Sequence, residues 1–581
     1  MKTYKKVIAY LGPMKWMLFG GALCSALSVL FTLYGYRLLN LFFRDLIIKA
    51  DGSSARQYAW RIAASLALGF AVYFLSTFVT HVAAFRLETV LRKKGVVGLS
   101  QASQVFFDRN PSGRVRKIID DNAAQTHMAV AHLVPDIAIG AIMPIGIIVL
   151  AYMADWKAGI VVSVLTVLSL IALHLMMGNK EFLKTYQAYL EKLGSASVEY
   201  VRGMQVVKVF GTGIESFTDF YRCIMDYARF ALKYSMSCKW PYVLFQLLFL
   251  GLMTVVIPIW IYAGNFGDSP EKAVVILLML AFLTGVFFVT FMKIMYLGMH
   301  IQLADMAMEK LETLYAEMAD SQMVFGTETV FTNSDIAFHH VDFGYGDNQV
   351  LKDFSLTLKE NHVYAFVGGS GSGKSTVAKL VSGFYRADKG EITIGGKDIF
   401  AYEEKALMKK IAVVFQNPQL FKKSLYDNVL IGNPSASREQ VLEAMTLAGC
   451  QDIIEKFPER ENTIIGSQGV YLSGGEKQRI TIARAILKDA DIIILDEASG
   501  AVDPENEYAF QKAFSNLIRG KTVIMIAHRL SSIRGASKIF VMQDGRIIEE
   551  GSDAHLMQKD TRYRYYQELY NKTNDWRVVS E

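Results

Sequence analysis

The run Gly368-Gly369-Ser370-Gly371-Ser372-Gly373-Lys374-Ser375-Thr376 decides how the second half of this chain folds. It follows the apolar stretch Tyr364-Ala365-Phe366-Val367 and precedes the helix-patterned Val377–Phe384. A strand, a Gly-rich turn, Lys-Ser and a helix form the context of a P-loop. The glycines let backbone N–H groups turn toward phosphate oxygens, and the helix N-terminus favours their negative charge. Lys374 reaches β and γ phosphates in such a loop, while the Ser375 hydroxyl is placed to ligate Mg²⁺.

Downstream, Ile492-Ile493-Ile494-Leu495 reads as a buried strand with Asp496 and Glu497 at its exit. Asp496 suits Mg²⁺ coordination, directly or through water, and Glu497 suits polarisation of an attacking water. Short β runs such as Ala337–Phe343 and Val363–Val367 alternate with helical stretches to about residue 550. That alternation predicts an α/β domain with a largely parallel sheet. The charged, aromatic tail with Tyr563, Tyr565, Tyr566 and Tyr570 is expected to form a helix lying on this domain.

The first half is different in kind. Hydrophobic residues make up 52% of the 581-residue chain and charged residues 20%, and the apolar excess lies before residue 300. Six stretches are long and apolar enough to cross a bilayer: Met17–Tyr36, Ile62–Phe85, Ile137–Ala154, Ala158–Gly178, Trp240–Gly264 and Ala273–Met292. None contains Asp, Glu, Lys or Arg. With the N-terminus inside, the inner segments carry 21 Lys plus Arg and the outer ones 7. The positive-inside rule therefore puts both termini and the second domain in the cytoplasm, and the chain in a plasma or inner membrane. A cleaved signal peptide is not expected, because the first span is too long. Four scattered cysteines, without metal-ligand spacing, point to neither a disulfide framework nor a zinc site.

The two inner loops, 86–126 and 179–239, are long and helix-rich. If the membrane helices continue into them, about 25 extra residues project about 37 Å. Each loop breaks near its middle, at Asn110-Pro111-Ser112-Gly113 and at Gly211-Thr212-Gly213. Such hairpins either carry motion to the membrane or are solvated helices. Polar groups near the spans are candidate substrate contacts because hydrocarbon makes them costly. They are His81, His174, Gln246, Lys293 and Asp136, with Pro135 beside it and Pro144 further on. Lys293, just past an apolar run, equally suits snorkelling to the inner interface, and His81 and His174 suit hydration near the inner span ends.

Between the P-loop and the acidic pair lies LSGGEKQR, Leu472–Arg479. This resembles the signature sequence of the ATP-binding cassette (ABC) family, and the flanking motifs follow that family's order. The resemblance implies that Tyr345 in VDFGY stacks on adenine and that Gln416 in VVFQNPQLF senses the γ-phosphate and Mg²⁺. It implies that Asp503 communicates between two ATP sites and that His528 in IMIAHRL contacts the γ-phosphate. Taken alone, Tyr345 is equally a packed surface aromatic and His528 a satisfied histidine at a strand end. The ATP contacts implied are Tyr345, Gly368–Thr376, Asp503 and, from a partner chain, Ser473, Gly474 and Gly475. Catalysis falls to Glu497, His528 and Gln416, and Mg²⁺ to Ser375, Gln416 and Asp496.

The resemblance covers the whole chain and implies a multi-domain half-transporter of exporter-type fold. Residues 1–318 form a six-helix α transmembrane domain with long cytoplasmic extensions, 319–333 a linker, and 334–581 an α/β ABC nucleotide-binding domain. Within that fold the two loop breaks are coupling helices. ATP held by one P-loop needs the signature of another domain, so a second half-transporter is expected, a related chain ahead of a second copy. The other partners are the lipid bilayer and a small-molecule substrate. Nucleic acid is not among them, because the spans exclude a soluble ABC ATPase.

Three departures from common exporter sequences stand out: Glu476 in place of Gln, Ile465-Gly466-Ser467-Gln468-Gly469 before the signature, and ASGAVDPENE after Glu497. With EYVRGMQVVKVFG, Glu199–Gly211, LSGGEKQRITIARAILKDA, Leu472–Ala490, and DPENE, Asp503–Glu507, they resemble siderophore importers of the yersiniabactin and mycobactin type. The expected function is thus ATP-driven import of a siderophore or metal chelate. Export of a lipid, drug or peptide, and an ATP-gated channel or regulatory ABC protein, are the alternatives.

Overall fold

The computed structural model describes residues 2–176, 180–210, 218–251, 270–466, 469–496, 504–526, 533, 535–558 and 560–574. Two compact units emerge. One comprises Met1–Gln101 and Asn110–Asp320, the other Ala102–Arg109 and Ser321–Glu581.

The first unit is helical. In chain order its elements are α1 (Lys2–Leu11), α2 (Lys15–Phe43) and α3 (Gly52–Gln101). After α4 (Gln104–Arg109), which belongs to the second unit, come α5 (Ser112–Ala131), α6 (Leu133–Ala154) and α7 (Trp156–Met176). Then follow α8 (Lys180–Arg202), α9 (Met204–Phe210), α10 (Thr218–Gly251) and α11 (Pro270–Asp320). Among the described residues five helical stretches are long and apolar enough to cross a membrane. They contain the predicted first, second, third and sixth spans, and the fourth as far as Met176. The fifth predicted span begins in α10, and its part beyond Gly251 lies outside the described residues. As expected, the 50-residue α3 runs on well past its span into the first inner loop, and the 51-residue α11 likewise runs on past the sixth span.

A seam of small residues holds α2 against α3. Ser76 Oγ donates to Gly21 O at 2.6 Å and Ser65 Oγ to Phe31 O at 2.8 Å. A Cβ on Gly21 would lie 2.4 Å from Thr80 Cγ2, so a larger residue would have to displace the Thr80 side chain. Between apolar helices with no hydrophobic drive to associate, close backbone contact and such hydrogen bonds supply the cohesion. Asp51 and Asp155 accept from the first backbone N–H groups of α3 and α7, satisfying donors that a helix start leaves open. Trp16, Trp156 and Trp240 are exposed, each with the neighbouring lysine ammonium within 6.0 Å of its ring. All three stand at or beside the start of a predicted span, where amphipathic rings mark a membrane interface. The hairpin of α8 and α10 is held by stacked rings, Phe182 on Phe230 and Tyr234 and Tyr200 on Phe220.

The second unit is α/β. Its elements begin with β1 (Ile336–Tyr345), β2 (Asn348–Leu358), β3 (Val363–Gly368) and α12 (Lys374–Val381). Next come β4 (Lys389–Ile394), β5 (Lys397–Asp398), α13 (Glu404–Lys410) and β6 (Ile411–Val414). Helices α14 (Leu425–Leu430), α15 (Arg438–Leu447), α16 (Gln451–Glu455) and α17 (Gly474–Lys488) precede β7 (Ile492–Asp496) and α18 (Pro504–Ile518). The unit closes with β8 (Thr522–Ile526), β9 (Lys538–Gln543), β10 (Arg546–Gly551), α19 (Asp553–Gln558) and α20 (Arg562–Asn574).

The main sheet has the order β10-β9-β3-β8-β7-β6, parallel except for β10. Side chains alternate between two cores, as the pleat requires. Ile492 and Ile494 join one with Phe366 and Phe540, and Ile493 and Leu495 join the other with Ala365 and Val367. The largely parallel sheet is as predicted. A second sheet, β2-β1-β4-β5, is antiparallel and was not anticipated. Its signal was present in the alternating Ile336, Phe338, Leu356 and Leu358, all buried in the core that holds α12. The tail helix α20 docks as expected: Tyr563 is fully buried and its hydroxyl donates to Asp553 at 2.6 Å.

Candidate nucleotide-binding site

At the end of β3 the chain passes Met542 so closely that a Cβ on Gly368 would lie 2.2 Å from its carbonyl oxygen. Gly373, with φ +102°, then caps α12 in a left-handed conformation that L side chains resist. Between them Gly369, Ser370, Gly371 and Ser372 form the turn, which leads into Lys374, Ser375 and Thr376 in the first turn of α12. Lys374 is buried within this loop, its Nζ donating to Gly368 O at 2.9 Å, Gly369 O at 2.8 Å and Ser372 Oγ at 3.3 Å. The ammonium is therefore held where the loop closes on itself, in reach of any oxyanion the loop encloses.

Ser375 is exposed, and its Oγ donates to Asp496 Oδ1 at 3.3 Å. The contact spans 121 positions and arises because β7 pairs with β8, which pairs with β3, all in parallel. Strand ends and P-loop thus meet at one edge, the usual ligand position of an open parallel sheet. A hydroxyl and a carboxylate are hard oxygen donors, a set that fits Mg²⁺ when phosphate oxygens complete it. Among the described residues no cluster of three or more His, Cys, Asp or Glu could hold a metal unaided. Gln416 is exposed two residues past β6, whose Val414 pairs with Leu495, so it leaves the sheet at the same end as Asp496.

Tyr345, at the end of β1, lies beside α12, its hydroxyl 3.4 Å from Thr376 Oγ1. Lys379 Nζ sits 5.4 Å from its ring centre. The residue is 38% exposed, which leaves room for a planar ligand beside the ring. Glu497, Asp503 and His528 lie outside the described residues.

The signature residues occupy other surroundings. Ser473 is the N-cap of α17, with Gly474 and Gly475 in its first turn. That helix packs on α14, α15 and α18, whereas α12 packs on β3, β7 and β8. Ser473 and Gly474 are exposed.

Residues 351–500 match the ABC transporter family, and residues 18–286 match the ABC transporter transmembrane region. An uncharacterized ABC transporter ATP-binding protein of Bacillus subtilis is 31% identical over 87% of this chain and 89% of its own length. This chain belongs to the ABC transporter family. Another relative is the mycobactin import ATP-binding/permease protein IrtA of Mycolicibacterium smegmatis, 31% identical over 95% of this chain. This ABC transporter chain spans only 64% of that relative's length. An ATP-dependent lipid A-core flippase of Legionella pneumophila is 43% identical over 42% of each chain.

The fold gives the family departure at Glu476 a physical account. Ser473 and Glu476 form a reciprocal capping box: Ser473 N donates to Glu476 Oε2 at 2.6 Å and Glu476 N to Ser473 Oγ at 3.2 Å. Lys456, not the adjacent Lys477, is its ionic partner, at 2.9 Å. Burial pushes the Glu476 carboxyl up, but Lys456 and the Ser473 N–H more than compensate and hold it below the usual carboxylate range. A depressed folded pKa stabilises the fold above the unfolded carboxylate value and loses that contribution as pH falls through the folded one. Glu476→Gln keeps the acceptor of the box but not the ion pair. Its expected cost near pH 7 is under about 1 kcal/mol, since Lys456 is half-exposed. The difference from the parent should vanish at low pH, as thermal unfolding from pH 7 to 3 will show.

Asp108 and Tyr385 of this ABC unit carry no motif that singles them out in the sequence. A short helix, α4, lies just ahead of the predicted break at Asn110–Gly113, where α5 already begins at Ser112. Phe106 of α4 is buried, and Val105 packs against the core beneath α12. The Tyr385 hydroxyl donates to Asp108, and Lys379 Nζ lies 3.8 Å from the same carboxylate. Tyr385 in turn meets Tyr345 edge-on, ring centres 5.4 Å apart. The only hint in sequence was the aromatic pair Phe106-Phe107 in a charged loop. The second predicted break, Gly211–Gly213, and the departures at Ser467 and Gln468 lie outside the described residues.

Proposed function

We propose that this chain is an ATP-hydrolysing half-transporter that pairs with a related half-transporter in a cytoplasmic or plasma membrane. Residues 1–318 serve as the membrane domain, 319–333 as a linker and 334–581 as the ATP-binding domain. The observation that carries the proposal is the convergence of Lys374, Ser375 and Asp496 at one sheet edge, beside the half-exposed Tyr345.

In this reading the Gly368–Thr376 backbone and Lys374 bind the ATP phosphates, Tyr345 stacks on adenine, and Ser375, Gln416 and Asp496 hold Mg²⁺. The bound Mg²⁺ supplies charge neutralisation on the phosphates. Glu497 accepts the proton of the attacking water, while Gln416 and His528 orient the γ-phosphate. Ser473, Gly474 and Gly475 of the partner close over the nucleotide, with Asp503 beside the paired site. The α4 element, docked through Asp108 on Tyr385, passes that closure onward.

Import of a siderophore or metal chelate is the favoured direction, supported by likeness to a mycobactin import protein over 95% of this chain. Export of a lipid is the second reading, supported by the lipid flippase at 43% identity over a shorter stretch. The test uses vesicles holding the half-transporter pair with ATP outside, so that only outward-facing ABC domains fire. An importer drains preloaded ferric chelate from the lumen, and an exporter accumulates ligand there. Glu497→Gln should bind ATP yet lower turnover by at least about 100-fold, the scale of losing a general base. Unchanged ATPase in that variant would remove Glu497 from the mechanism.

A further inference from the structure

Within residues 122–154 Asp136 is the sole Asp, Glu, Lys or Arg, and within 273–304 Lys293 is the sole one. The structure pairs these two, on α6 and α11, with Lys293 Nζ 3.2 Å from Asp136 Oδ1. Two lone opposite charges among apolar helices cost more in desolvation than a well-packed apolar pair would. Their presence asks for a use.

A cavity of about 270 Å³ opens at this pair. His132, Tyr296 and His300 line it together with Asp136 and Lys293. Met128, Leu133 and Leu297 supply an apolar wall. Behind His132 stands a further imidazole, His81, ring centres 4.8 Å apart, whose Nδ1 lies 2.8 Å from Thr77 O. The Lys293 ammonium also lies 5.5 Å from the centre of the Tyr73 ring, so ring and carboxylate hold it in place. The polar lining holds one ammonium, two imidazoles and one phenol, each able to donate, and a single carboxylate. The volume falls just below the range that encloses a drug-sized molecule and suits a head group.

We infer that this cavity binds the anionic oxygen-bearing head of an amphipathic ligand, with Lys293 as the binding cation. Asp136 holds the ammonium until the ligand's own oxyanion replaces it, and the apolar wall receives the adjoining part of the ligand. This deepens the transport reading above and rests on it. It names the recognised chemistry as a carboxylate, phenolate or phosphate head on an apolar body, and that head can belong to a small molecule or to a lipid.

The test places the full-length chain in phosphatidylcholine nanodiscs without ATP. Binding is measured for 5-octylsalicylate, its neutral carboxamide and dioctanoyl phosphatidate. At least one of the two anions should bind more tightly than the amide, and Lys293→Gln should weaken it about tenfold or more. Asp136→Asn removes the competing carboxylate and should hold or raise the affinity. The double variant Asp136→Asn/Lys293→Gln should stay as weak as Lys293→Gln. Salicylate binding alone assigns a small-molecule head, phosphatidate alone a lipid head, and both together a head read regardless of body. A purely structural ion pair gives the opposite pattern: both single variants lose affinity and thermal stability alike, and the double variant recovers both. That pattern, or anion binding indifferent to Lys293, overturns the inference. Since binding is read without ATP, absent ATPase activity would sink the transport reading and leave this result standing.

Discussion

Replacing Lys374 by Met will abolish ATP turnover, lowering it by at least about 100-fold, or roughly 3 kcal/mol in the barrier. Two effects combine. The ammonium donates to the Gly368 and Gly369 carbonyls and to Ser372 Oγ, so it braces the turn that aims the backbone N–H groups. It is also the buried positive charge nearest the Ser375–Asp496 pair along the chain. Positioned charge in a water-poor loop is where electrostatic stabilisation of a phosphoryl transition state is greatest. Methionine fills the same volume without either contribution, so folding should survive. ATPase assays on the half-transporter pair, with thermal unfolding as the control, check this. A variant that folds and still turns over within tenfold of the parent would remove Lys374 from the reaction.

The second large effect is expected on stability, at Asp452→Ala. Arg479 of the signature helix α17 is 2% exposed, and its guanidinium donates to both Asp452 oxygens, at 2.8 and 2.7 Å, and to Gly449 O at 2.7 Å. The Arg479 side of the contact is dry: burial pushes the thiol of neighbouring Cys450 up to about 12. Removing one partner of a buried pair leaves a charge uncompensated, a loss of about 3–5 kcal/mol. Because the Asp452 side chain is 59% exposed, solvent screens part of this, and a loss of about 2–3 kcal/mol is expected. For a unit of this size that lowers the unfolding midpoint by about 4–10 °C. Asp452→Asn, which keeps one acceptor, should lose less. A midpoint shift under a degree for Asp452→Ala would show that the bidentate contact does not anchor α17.

The two predictions differ in how much of each was legible beforehand. Lys374 was identified from sequence because phosphate binding imposes local rules: glycines where the backbone must turn, a cation beside them, a strand before and a helix after. Arg479 was visible only as one letter of LSGGEKQR. Its burial depends on α16 arriving from a different stretch of chain, and no local pattern encodes that. Glu476 is intermediate, since its capping partner Ser473 is three residues away and readable, but Lys456 is not.

By itself the sequence determined the division into an apolar helical half and an α/β half, five spans wholly or largely within the described helices, and the parallel sheet. It also determined which side chains form the P-loop and its acidic partner. These follow from periodicity, span length and turn chemistry, all properties of neighbours along the chain. Only the tertiary structure decided the second antiparallel sheet, the docking of α4 through Asp108 on Tyr385, and the pairing of Asp136 with Lys293 across two helices. Each joins residues distant in the chain, and such contacts are set by packing and desolvation in three dimensions, which no window of sequence records.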